Sequence, residues 1–95
     1  IYQGAASAFP NNSALTTVGL IDALVYDTGD ADDPGLLGVL LGTGPEAVQV
    51  DEWGGLGSIL GTPNSIQRCG GSARRDGRVW SAFVPMSPGL PNLCP

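Results

Sequence analysis

Apolar positions along this chain come in short bursts separated by glycine, proline and acid, a rhythm that predicts short strands and turns rather than long helices. The opening "IYQG" reads as the tail of a strand, and the next fifteen residues, "AASAFPNNSALTTVG", as a loop anchored by Phe9. "LIDALVY", residues 20 to 26, has the β-branched and aromatic content of a strand, with Leu20, Leu24 and Tyr26 on one face together with Asp22. An acid on that face predicts a strand that starts near solvent and becomes buried later. A helix signal follows: Asp32 or Asp33 suits the cap, Pro34 the first helical position, and "GLLGVLL" two turns ended by Gly42 and Gly44, giving a short helix near 33–41. "PEAVQVDEWGG" predicts an extended piece with Val48 and Val50 in phase and Trp53 as a plug, and "GGLGSILGTP" a connecting loop. Two further strands are expected in "NSIQRC" and "VWSAFV", separated by an arginine loop with a turn signal at Asp76-Gly77. The proline-rich "PMSPGLPNLCP" predicts an irregular, extended tail.

Length limits what these elements can build. Ninety-five residues hold one domain at most, and such a chain buries only somewhat over ~60% of the surface its unfolded form exposes. At 42% hydrophobic and 14% charged residues the sequence is too apolar for a disordered segment. Its first residue, Ile1, and the lack of a signal peptide read as a mature, processed or truncated piece of something longer.

Net charge is −5, with four arginines, no lysine and no histidine. One small arginine cluster facing nine acids cannot neutralise many phosphates, which argues against nucleic acid as a partner. No apolar run approaches the ~18 residues that a membrane span needs, so membrane insertion is not expected. Cys69 and Cys94 are the only cysteines, and a bridge closing that loop would contribute on the order of 3 kcal/mol. Two reduced thiols, or a two-cysteine metal site, are the other readings of the pair. Asn11-Asn12-Ser13 is a sequon that makes Asn11 a glycosylation acceptor in a secreted chain, and with the cysteines it tilts the expected compartment to extracellular.

Without histidine the Ser-His-Asp and Cys-His arrangements cannot be assembled, and zinc hydrolase sites lose their usual ligand. Paired carboxylates remain available for acid–base work, but the acids sit in glycine-flanked loops with no hydrophobic pocket to raise one pKa. "GGLGSILG" has the glycines of a phosphate loop without its lysine. No catalytic function is therefore expected. Calcium is the remaining candidate for the aspartates. An EF-hand register from Asp30 fails, because it puts Leu41 where a bidentate glutamate is required. A different calcium loop, using Asp27, Asp30, Asp32 and Asp33 with backbone carbonyls, stays chemically reasonable beside the plainer reading of a solvated turn and helix cap. Trp53, Trp80, Phe83 and Tyr26 read as packing residues, and Arg74-Arg75 as an exposed dibasic pair open to proteases.

Taken together, "LIDALVYDTGDADDPGLLGVLL", "SIQRC" and "SPGLPNLC" resemble the C-terminal half of lamin-tail-like domains of secreted and surface proteins. The matching pieces are Tyr2 to Gly4, Phe9 to Ser13, Leu20 to Leu41, Ser65 to Cys69 and Ser87 to Cys94, in the same order. The sequence departs from the pattern at "RCGGSARRDGRVW", where a proline usually follows the cysteine, and at "SPG" for "TPG". The resemblance implies a mainly β, immunoglobulin-like β-sandwich, here partial, with residues 1–95 forming its C-terminal part and the upstream strands lying outside the chain. It also implies a Cys69–Cys94 disulfide and a structural, adhesion or binding role rather than catalysis. A sheet so truncated is expected not to fold alone, but to be completed by an upstream segment or by strand addition from a neighbouring chain. The alternatives are the accessory domain of a secreted nuclease- or phosphatase-like hydrolase, and a calcium-dependent binding module.

Overall fold

In a computed structural model, residues 1–27, 31–51 and 64–94 are described. Trp53, the "GGLGSILGTP" loop and Asp30 lie outside them. The architecture is mainly β with one short helix: β1 (Tyr26–Asp27), α1 (Pro34–Leu40), β2 (Val50–Asp51), β3 (Asn64–Arg68) and β4 (Trp80–Pro85). β1 and β2 pair in parallel, Tyr26 opposite Val50 and Asp27 opposite Asp51. Parallel neighbours need a crossover, and α1 lies within the one that joins them. β3 and β4 pair antiparallel, with a register shift between Ser65 and Gln67.

The helix begins as its residues dictate. Asp33 is the N-cap, its carboxylate accepting from the Leu36 amide at 2.9 Å, and Pro34 occupies the first turn, where no amide hydrogen is needed. One face of α1 then packs on the preceding extended segment: Leu37 and Leu41 are buried with Ala23 and Val25, and Leu20, Leu36, Leu40 and Ala47 surround them. This corrects the reading of "LIDALVY". Only its last residue enters a strand, and the buried positions are Ala23 and Val25, while Tyr26 is 57% exposed. The small and β-branched side chains face the helix because they let it approach closely, which leaves the tyrosine on the outside.

A second group of buried residues, Val50, Val79, Ala82 and Val84, lies where β4 approaches β2. The expected phase of Val48 with Val50 does not hold, since Val48 is 40% exposed and Gln49 is buried beside Val50. Contact here depends on Gly77. A Cβ on that residue would lie 1.9 Å from the Val48 carbonyl oxygen, and the Gly77 amide donates to the Glu46 carbonyl at 2.9 Å. Asp76-Gly77 therefore opens a 3₁₀ turn, Gly77–Val79, that docks backbone against backbone.

The tail is tied to β3. The sulfurs of Cys69 and Cys94 meet at disulfide distance with their Cα atoms 5.1 Å apart. Next to them the Leu93 amide donates to Gln67 Oε1 at 2.8 Å, and the Asn92 side chain donates to the Arg68 carbonyl at 2.9 Å. Buried Gln67 completes the set by donating to the Pro85 carbonyl at 2.8 Å. The opening residues run beside the segment that follows the N-terminal loop: Tyr2 bridges Leu20, and the Ile21 amide donates to the Ile1 carbonyl at 3.0 Å.

Candidate functional site

The parallel register sets Asp27 beside Asp51, and the segment entering α1 brings in Asp32. Carboxylate oxygens of these three residues lie within 4.8 Å of one another, Asp27 half-buried and the other two exposed. Gln49, buried between strand and helix, organises the corner: its amide nitrogen donates to Asp27 Oδ2 and its oxygen accepts from the Asp33 amide at 3.3 Å. Of the four aspartates singled out in the sequence, Asp27 and Asp32 are brought together. Asp33 is turned away to cap the helix, and Asp30 lies outside the described residues. Asp51 enters in their place. The sequence signal for it is slight, a repeat of apolar residue plus aspartate at Tyr26-Asp27 and Val50-Asp51, which takes on meaning only once the two pieces are paired. Chemically the trio offers hard oxygen donors, the kind that calcium takes in sets of about six to eight.

A further carboxylate, that of Asp22, is surrounded by donors. Asp22 is 9% exposed and collects donors from three parts of the chain. Its Oδ1 accepts from the amides of Ala23 at 2.9 Å and Arg75 at 2.7 Å, and its Oδ2 pairs with the Arg68 guanidinium. Arg68 also donates to the Ala73 carbonyl at 3.0 Å and lies over the Trp80 ring at 4.8 Å from its centroid, a cation–π contact. The indole Nε1 of Trp80 is buried and has no hydrogen-bond partner among the described residues. Arg75 reaches the far end of α1, where its side chain donates to the carbonyls of Leu40 at 2.7 Å and Val39 at 3.2 Å. A cation there satisfies carbonyls that the last helical turn leaves open.

Arg78 is paired as well. Its backbone amide and guanidinium both donate to Asp76, at 3.0 and 2.7–2.9 Å. The side-chain hydrogen bond from Arg78 holds the Asp76 carboxyl below its ordinary range, and the same bond raises Arg78. The "arginine loop" is thus largely a set of braces, with Arg74 alone of the four left exposed and without a hydrogen bond or ion pair among the described residues.

Two further features bear on function. Asn11 lies exposed in a turn after Pro10, where the amide of Ser13 donates to the Pro10 carbonyl at 3.1 Å. An open cleft of about 580 Å³ lies between the N-terminal loop and the strand-like opening, walled by Tyr2, Phe9, Leu15 and Val18. The two rings stand 5.0 Å apart, and the Tyr2 hydroxyl donates to the Thr16 carbonyl at 2.8 Å, so the walls present chiefly van der Waals surface. Among the described residues no helix is long and apolar enough to cross a membrane.

Comparison with protein-family models, with curated proteins and with solved structures finds no match to this chain. The functional reading therefore stands on the sequence strings and on the geometry above.

Proposed function

We propose that this chain is a non-catalytic extracellular module, structural, adhesive or binding, built as part of a lamin-tail-like, immunoglobulin-like sandwich and completed by strands from further protein. The observation that carries the proposal is the mismatch between extent and core. The Cα radius of gyration is 14.7 Å, against about 12 Å for a compact domain of this length. Among the described residues the strands form two separate two-stranded sheets, a size marginal by itself in water. Large apolar side chains such as Val18, Leu90 and Ile1 are 79%, 68% and 76% exposed. Oxidised cysteines and an exposed sequon asparagine support the extracellular part of the reading. Size-exclusion chromatography over a concentration series, with urea unfolding, tests it: the chain is expected to self-associate, and a cooperative, stable monomer would sink the proposal.

One observation favours a second reading, a calcium-dependent binding module. It is the meeting of Asp27, Asp32 and Asp51, carboxylates drawn from two separate segments. Following the melting temperature from zero to millimolar calcium separates the two readings. A rise abolished by Asp51→Asn supports calcium, and an unchanged melt removes it.

A further inference from the structure

We propose that the Arg74–Arg75 peptide bond is a processing site for a trypsin-like serine protease, and that cutting it yields a disulfide-linked two-chain form with the new Arg75 ammonium seated on Asp22. Such a protease draws its substrate into an extended strand and takes one arginine side chain into a pocket with an aspartate at its base. Three of the four arginines are withheld from that pocket. Arg68 sits within β3 with its guanidinium on Asp22 and Trp80. Arg78 is clamped by Asp76 through both backbone and side chain. Arg75 is spent on the helix carbonyls, and its backbone is left-handed at φ 52°, far from an extended strand.

Arg74 differs in its side chain, which is exposed and makes no hydrogen bond or ion pair among the described residues. It and residues 70–73 before it are exposed, and Gly71, at φ 104°, has open space around it. Drawing this exposed, glycine-containing loop into a cleft requires release of two contacts beside the bond, Arg68 on the Ala73 carbonyl and the Arg75 amide on Asp22, which is a local opening and leaves the strands paired. In the cut, the oxygen of water bonds to the Arg74 carbonyl carbon and the bond to the Arg75 nitrogen breaks. Both protons of that water pass to the nitrogen, leaving a carboxylate on Arg74 and an ammonium on Arg75.

The fold also prepares a place for the cut ends. The Arg75 nitrogen already donates to Asp22 Oδ1 at 2.7 Å, so the new cation arises against a buried carboxylate. The bond lies between Cys69 and Cys94, and β3 and β4, one on each fragment, stay paired across it. The two-chain form depends on that disulfide and not on the adhesion-module reading, so either can fail without the other.

Trypsin is the probe, because a chain without lysine offers it only four arginines. The folded, oxidised chain, in whatever oligomeric form it elutes, is expected to take one early cut. Unreduced it gains the mass of one water, and reduced it separates into residues 1–74 and 75–95. Arg74→Ala, which removes an exposed side chain that braces nothing among the described residues, should slow the first cut on the order of tenfold or more. A first cut after Arg68, Arg75 or Arg78, unchanged digestion of Arg74→Ala, or loss of the melting transition on nicking would overturn the proposal. The seating of the new amine is read separately by acylation with acetic anhydride. The Arg75 amine should react more slowly in the folded nicked chain than in urea, and equal rates overturn that part.

Discussion

Asp22 and Asp51 are both aspartates held close to other charged groups, yet they make opposite kinds of corner. Around Asp22 the neighbours are donors: two amides, a guanidinium and, through Arg75, the far end of the helix. Around Asp51 they include two further carboxylates. A buried charge with its hydrogen bonds satisfied fixes the relation between segments, because any displacement strands it in a low dielectric. Exposed like charges do the reverse, weakly disfavouring the pairing that brings them together. The first arrangement holds segments of the fold together, and the second weakly opposes the pairing that forms it.

The contrast can be tested by breaking each side. The largest effect is expected at the staple that closes the Asp22 side. Reduction, or the paired Cys69→Ser and Cys94→Ser changes, should cost about 3 kcal/mol for a loop of this length, measured by urea unfolding of the assembled chain. Next comes Asp22→Ala, which leaves Arg68 facing Trp80 without its counter-charge and removes the acceptor for two amides. About 2–3 kcal/mol is expected, discounted from a fully buried pair because the Arg68 side chain keeps 24% of its exposure. A loss below 0.5 kcal/mol, roughly that of an ordinary surface change, would show that Asp22 is not a hub.

Asp33 caps the start of α1, and Asp33→Ala should cost about 1 kcal/mol while Asp33→Ser recovers most of it, since either oxygen can cap Leu36. Smaller effects are expected from Asp76. Its carboxyl titrates lower in the folded chain, so the folded state binds fewer protons than the unfolded one across the acid range. The resulting stability is present above the unfolded value, about 4, and is lost as pH falls below it. Melting curves from pH 6 to 2 should therefore fall more steeply for the native chain than for Asp76→Asn. Least of all, Asp32→Asn in calcium-free buffer should gain a few tenths of a kcal/mol at low salt, and the gain should shrink as salt screens the trio.

Several parts of this molecule can be read directly from residues. Asp33, Pro34 and the leucines announce the helix because cap, first-turn proline and apolar face lie within a few positions of one another. "VWSAFV" announces β4 by its apolar and β-branched content, "NSIQRC" announces β3 only through Ile66, and the prolines announce an extended tail. Each of these signals acts over a few residues, where backbone sterics and local hydrogen bonds decide.

Tertiary structure alone decided which acids would be buried and which would meet. Within its own segment Asp22 has only the Ala23 amide as a donor, and its counter-charge and second amide arrive from positions 46 and 53 residues away. Asp51 joined Asp27 because β2 chose a parallel register across an intervening helix, and Arg75 left the role of loop cation because the end of α1 came within its reach. Side-chain chemistry sets what each of these residues is able to do. Coulomb energy and hydrogen-bond satisfaction depend on distance in space, and spacing along the chain does not record it.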